Sequence, residues 1–183
     1  MHAIDERDLI RRAQEGEREA FAELYDRHYL AIYNYFYYRL GDRETAEDLT
    51  ADLFVRMVEK IDRYRDRGRP FLAWLYTIAR NLLTDHYRRR RGEAVPLDDL
   101  PLSDGKNPPT EVEHRLAVDC LHRALRHLTA DQQQVIINRF LEKRSINKVA
   151  GLLGKTEGAV KAMQHRALAA LRRAIEKEGC YEP

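Results

Sequence analysis

Apolar residues recur at helical spacing along most of the chain. Between 43 and 61, Ala46, Leu49, Leu53, Phe54, Met57 and Ile61 fall on one helical face, and between 71 and 86 so do Phe71, Leu75, Ile78, Ala79, Leu82 and His86. Residues 5 to 91 therefore read as helices with two interruptions, at Gly41-Asp42 and around Asp66 to Pro70, with Pro70 suited to the first turn of the helix that follows. The aromatic run Tyr33, Tyr35, Phe36, Tyr37 and Tyr38 shares helical spacing with Tyr25, Tyr29 and Ile32 and reads as core, as does Trp74 beside its apolar stripe.

The pattern fails from Gly92 to Pro109, which holds four of the six prolines together with Glu93, Asp98, Asp99 and Asp104. Such a stretch reads as a linker. Fully extended at ~3.3 Å per residue it reaches about 60 Å, enough to let the flanking domains sit apart on one large partner. Helical signals resume at Thr110-Glu111-Val112-Glu113 and again at Thr129-Ala130-Asp131-Gln132, two capping-box patterns. A helix over Ser145 to Leu153, a turn at Gly154-Lys155 and a last helix from about Glu157 to Lys177, capped by Thr156, complete the reading. We therefore expect an all-α protein of two small helical domains, residues 1–91 and 110–183, joined by a flexible linker at 92–109, the second domain a helix-turn-helix.

Composition supports helices: 34% of the 183 residues are charged, against 9 glycines and 6 prolines. Net charge is only +2, so any contact with nucleic acid must come from locally segregated cations. Cys120 and Cys180 lie far apart without a CxxC pattern and read as plain thiols in a reducing compartment. The N-terminus lacks the apolar core of a signal peptide, and no run reaches the ~18 apolar residues of a membrane span. A cytoplasmic chain with no membrane insertion is expected. Gly154-Lys155-Thr156 has Val149 where a phosphate-binding loop needs glycine, and His114, Cys120, His122 and His127 match no zinc spacing. No cofactor, metal or catalytic residue is expected.

On the last helix, Val160, Met163, Ala167, Leu171 and Ala174 form the core stripe. The opposite face carries Gly158, Ala162 and Ala169 down its middle, with Lys161, His165 and Arg172 on one flank and Arg166 and Arg173 on the other. Small central residues let a helix backbone approach the major groove, while flanking cations reach phosphates or guanine edges. A helix-turn-helix inserts its second helix in this way.

Three stretches widen this motif into a family resemblance: Gly16 to Tyr29 with Gly41 to Ile61, Pro70 to Arg91, and Ser145 to Arg173. In that order they resemble an extracytoplasmic-function sigma factor, the minimal group of the sigma-70 family. The resemblance implies a factor that binds core RNA polymerase and directs promoter-specific initiation. It would dock through Asp48, Asp52, Val55 and Glu59 on the beta-prime coiled coil, and on the beta subunit. The minus-10 element would fall to Arg63, Tyr64, Arg65, Arg67, Arg80, Asn81, His86, Arg88 and Arg89, a segment that interleaves stacking rings with a cationic track. The minus-35 element would fall to Gly158, Lys161, Ala162, His165, Arg166, Arg172 and Arg173. The acidic linker would run toward the active-site and RNA-exit channels, and an anti-sigma protein is an expected partner. Many members carry Ser-Arg where this chain has Ala162-Met163, and Arg where it has Leu168, so fewer polar groups remain to read bases. The competing reading is a stand-alone helix-turn-helix regulator, which would bind duplex tightly without polymerase.

Overall fold

The computed structural model describes residues 4–92 and 109–180; the expected linker lies almost entirely outside them. Among the described residues every regular element is helical. The N-terminal unit comprises α1 (Glu6–Gln14), α2 (Arg18–Leu40), α3 (Arg43–Lys60), a short 3-10 turn (Ile61–Arg63) and α4 (Phe71–Gly92). The C-terminal unit comprises α5 (Pro109–Arg126), α6 (Ala130–Ile136), a π-helical turn (Ile137–Leu141), α7 (Ile146–Leu153) and α8 (Glu157–Glu178).

The helix boundaries follow from local chemistry. Asp5, Asp42, Thr129, Ser145 and Thr156 each sit at an N-cap in extended conformation, with the side chain accepting a backbone N–H of the first turn. Thr129 and Gln132 close a complete capping box. The box expected at Thr110 is not the start of a helix, because α5 already begins at Pro109, a residue whose fixed φ and missing N–H suit the first helical position. One break escaped the sequence pattern. α1 and α2 are separate helices, divided at Gly16, where φ is +86° and a side chain would be strained.

Leu9, Leu24, Ile32, Phe36, Leu53, Met57, Ile61, Phe71 and Leu75 are almost fully buried at the centre of the N-terminal unit. Burial of that kind contributes roughly 1.5–3 kcal/mol per side chain. Tyr35 and Phe36 belong to this core, whereas Tyr29, Tyr33 and Tyr37 form a half-buried ladder along α2, with successive ring centroids 6.2 and 5.5 Å apart. In the C-terminal unit Leu125, Ile136, Ala167 and Ala174 form one cluster, and Val149, Ala150 and Val160 join α7 to α8 in another.

Cys120 and Cys180 are joined by a disulfide with their Cα atoms 5.8 Å apart, which corrects the expectation of two plain thiols. The end of α8 returns to the middle of α5, and a sequence separation of 60 residues concealed that meeting.

The two units touch. α2 and the start of α4 face α5, α6, the π-helical turn and α7. Arg126 donates to the Leu40 carbonyl at 3.1 Å and Arg69 to that of Leu152 at 2.6 Å, while Arg144 and Tyr76 converge on the Asn138 Oδ1 at 2.7 and 3.3 Å. Arg39 is 2% exposed in this seam. Its guanidinium donates to the Tyr35 carbonyl and the Gln134 Oε1, lies 3.7 Å from the Tyr35 ring centroid, and has no carboxylate among the described residues. Burial pulls its pKa below the ordinary arginine range and pushes the Tyr76 phenol up to about 12.

His122 lies in the same seam, its Nδ1 3.2 Å from the Tyr38 carbonyl oxygen and its Nε2 without a partner. Burial, opposed by the Tyr38 contact and reinforced by Arg126, holds its pKa below the ordinary 6.5. The unfolded chain therefore takes up this proton first. The contribution to stability is whole above about 6.5 and is lost as pH falls from there through the lowered folded value. The thermal midpoint should accordingly drop between pH 7.5 and 5.5, and it should drop less in a His122→Gln variant. Parallel profiles for the two proteins would remove His122 as a source of the slope.

Candidate nucleic-acid interface and docking faces

Three exposed surfaces gather the candidate residues. The first is built by α7 and α8. Gly154 ends α7 at φ +62°, a left-handed turn that glycine adopts without strain, and Thr156 starts α8 by accepting the Ala159 N–H at 3.1 Å. Val149 and Val160 bury the inner sides of the pair, and Asn147 clasps Glu157 at 3.0 Å across its mouth. That packing turns the other side of α8 outward. Gly158, Lys161, Ala162, His165, Arg166, Arg172 and Arg173 are all exposed. Arg172 reaches Glu176 at 3.4 Å, while Lys161, His165, Arg166 and Arg173 make no ion pair with a described residue. The Lys161, Arg166 and Arg173 charges are available to an external anion.

Gly158 carries a separate signal. A Cβ placed there meets nothing within 4 Å, and its φ is not in the left-handed region, so the fold does not require glycine. Gly158→Ala should stabilise α8 by up to about 1 kcal/mol. If a groove wall approaches this point, the same change should weaken duplex binding several-fold at constant salt. Equal affinity in a filter-binding titration would move the contact elsewhere on the helix.

The second surface is the loop between the 3-10 turn and α4, with the outer ridge of α4. Gln14 of α1 donates to the Ile61 and Tyr64 carbonyls at 2.9 and 3.0 Å, and the Asp66 Oδ1 accepts the Gly68 N–H at 2.8 Å, so the loop is held at both ends. Arg63, Arg65, Arg67 and Arg69 surround a groove of about 280 Å³, with Tyr64 and Trp74 in its lining. Tyr64 differs from expectation. It is 9% exposed and packs edge-on to Phe71 and beside Trp74 with ring centroids 5.1 Å away, so it supports the groove instead of standing free to stack. Trp74 is half-buried and lines the same groove, a position not anticipated from its place beside the apolar stripe.

Along α4, Thr77, Arg80, Asn81, Thr84 and Arg88 are exposed at helical spacing and extend the basic surface beyond the loop. Arg89 is exposed as well. His86 is turned partly inward: its Nε2 is buried without a partner, and burial, then Arg90 and Arg89, lowers its pKa. A neutral, half-covered imidazole is a poorer backbone contact than the sequence suggested. The third surface is the outer face of α3, where Asp48, Asp52, Val55 and Glu59 are exposed, Val55 to 58%, beside Val58 at 49%.

The candidate residues thus fall on three charged surfaces, a basic helix-turn-helix, a groove of arginines over aromatic rings and an acidic helix face. Residues 24–93 match the family described as Sigma-70 region 2, and residues 124–173 match Sigma-70, region 4. The chain is 39% identical over 175 residues to the ECF RNA polymerase sigma factor BldN of Streptomyces coelicolor, an alignment that takes in 92% of this chain and 65% of BldN. It is 32% identical over 180 residues to the ECF RNA polymerase sigma factor SigD of Mycobacterium tuberculosis, covering 94% and 85% of the two chains. Among solved structures it resembles CnrH, determined in complex with the cytosolic domain of CnrY, with a TM-score of 0.66, 26% identity, and 94% and 97% of the two chains covered. The chain belongs to the sigma-70 family, and within it to the ECF RNA polymerase sigma factors. A sigma factor regulates transcription initiation and is not an enzyme. No helix among the described residues is long and apolar enough to cross a membrane.

Proposed function

We propose that this chain works in the cytoplasm, docks on core RNA polymerase through the outer face of α3, and places its two basic surfaces on the two elements of a promoter. The observation that carries the reading is the separation of sign. The acidic residues Asp48, Asp52 and Glu59 stand on one exposed helix face, and exposed cations stand on α8 and around the loop before α4. Opposite potentials steer opposite partners to their own faces.

The exposed cations of α8 sit on phosphates of the minus-35 duplex, and Lys161, His165 and Arg166 supply what base contact there is. The groove under Arg63, Arg65, Arg67 and Arg69 takes an unstacked minus-10 base, with Trp74 as the stacking ring and the α4 ridge of Arg80, Asn81, Arg88 and Arg89 tracking the strand. Domains at 1–91 and 110–183 with a tether between them allow the two contacts to be made far apart. CnrH was solved with the cytosolic domain of CnrY bound, which supports an anti-sigma partner for this chain.

Run-off transcription with purified core polymerase on a promoter library tests the reading. A start-site-specific product that requires both proteins is expected. Tight duplex binding by the chain alone, with no such product, would instead mark a stand-alone regulator.

A further inference from the structure

The disulfide has features that a purely structural bridge does not need. Cys120 is 8% exposed, whereas Cys180 is partly exposed and follows Gly179, whose φ of +62° ends α8. Arg123 brings its Nη2 to 3.6 Å from the Cys180 sulfur. The same guanidinium donates through Nε to Glu178 at 3.1 Å, and His127 meets the other oxygen of that carboxylate at 2.5 Å. A guanidinium beside a partly exposed sulfur stabilises the thiolate, the form that reacts with oxidants. Among the described residues no cation is hydrogen-bonded to Cys120, and its burial beside Cys180 suits it to react with that partner.

The bond also occupies a mechanically particular place. Residues 111–117 of α5 are exposed, Val112 to 44% and Leu116 to 62%, so the helix enters its packed environment at about Cys120. Beyond that point one side of α5 carries Cys120, Arg123 and His127 against the end of α8. The side turned toward α2 carries His122 and Arg126, which reach the Tyr38 and Leu40 carbonyls. Fixing α5 to α8 therefore also fixes the surface by which the C-terminal unit meets α2.

We propose that Cys120 and Cys180 form a reversible thiol–disulfide site, with Cys180 the thiol oxidised first and Cys120 the resolving thiol, which sets how firmly α5 is held. The physiological sense of the site rests on the cytoplasmic placement proposed above, since disulfides in a reducing compartment are mostly transient and redox-sensing. In the oxidising direction the Cys180 thiolate attacks a hydroperoxide, forming S–O and breaking O–O. The alkoxide or hydroxide that leaves takes a proton, and Cys180 becomes a sulfenic acid. The Cys120 sulfur then attacks Cys180, forming S–S and breaking S–O, and water leaves with the Cys120 proton. Two electrons pass to the peroxide in all. A dithiol reductant reverses the bond by exchange through a mixed disulfide.

The test uses the full chain. Dithiothreitol under native conditions should release two thiols, and hydrogen peroxide should remove both again within one chain, without intermolecular dimer. In Cys120→Ser, Cys180 should accumulate a sulfenic acid that dimedone traps. In Cys180→Ser, Cys120 should react at least ~10-fold more slowly. Hydrogen exchange on the wild-type chain needs no substitution: on reduction, the amides of residues 121–126 should exchange several-fold faster. A bond that persists in excess dithiothreitol, a Cys120 that outruns Cys180, or exchange in α5 that ignores reduction would each overturn the proposal. These readouts use the chain without polymerase, so they succeed or fail separately from run-off transcription.

Discussion

Replacing Asp48, Asp52 and Glu59 together with lysine is expected to reduce polymerase-dependent transcription by about 100-fold while leaving duplex binding by α8 intact. The three carboxylates stand on the outer face of α3, exposed and free of ion pairs with described residues. Substituting them removes no contact from the core formed by Leu49, Leu53, Phe54 and Met57 on the opposite side. The fold should therefore survive, and circular dichroism with a thermal melt checks that it does. Against a basic docking surface, three reversed charges replace attraction with repulsion. A loss near 3 kcal/mol is a modest share of what like-charge juxtaposition costs, and each 1.4 kcal/mol is a factor of ten. The measurement is run-off product against factor concentration, with core binding followed in parallel. Unchanged core affinity would remove α3 from the docking surface. Val55→Glu should act in the same direction, since it places a charge in the apolar centre of that face.

The second large effect concerns Arg39. A guanidinium 2% exposed, with a carbonyl, an amide oxygen and a ring as its close contacts and no carboxylate among the described residues, retains most of the cost of leaving water. Replacing a buried ion pair by apolar side chains of similar volume often stabilises, by about 1–4 kcal/mol, and a buried charge without a counter-ion has less attraction to lose. Arg39→Met should therefore tighten the seam between the units, raise the thermal midpoint, and narrow the distribution of distances between probes on α3 and α8. Gln134→Ala acts in the opposite sense, because it leaves the charge buried with one acceptor fewer. If both substitutions loosen the seam, the interface depends on the guanidinium's hydrogen bonds more than it suffers from the charge. Transcription should fall in Arg39→Met, because Arg69 and Arg80 line the cleft between the units and Arg69 is bonded to α7 there.

Helix type and most boundaries were legible because they depend on neighbours in sequence. Gly41 and Gly154 stop helices at positive φ, Asp42, Thr129, Ser145 and Thr156 start them, and the stripes at 43–61 and 71–86 bury the faces that their spacing implied. The break at Gly16 was missed because charged helix formers continue on both sides of it, and one glycine among them carries little weight. Thr110 was misjudged by one helical step, which capping patterns do not resolve when proline itself begins the helix.

Exposure was the harder quantity. The α8 face was readable because Val160, Ala167 and Ala174 define its inner side. Tyr64 was not, because its burial is decided by Phe71 and Trp74 arriving from another helix. The disulfide and the buried Arg39 both depend on segments tens of residues apart coming together. No periodicity encodes either of them.

The openness of α8 has a kinetic consequence. Its cations face solvent while the two units are packed together, so the duplex contact proposed for this face needs no separation of the units. Contacts to phosphates alone bind any sequence, weaken with a salt slope of about −0.9 for each phosphate neutralised, and permit sliding and hopping along the helix. A factor built this way need not meet its promoter by three-dimensional collision. On the reading proposed above, it arrives along the DNA, spends its non-specific affinity on the search, and leaves discrimination to the minus-10 contact made with polymerase.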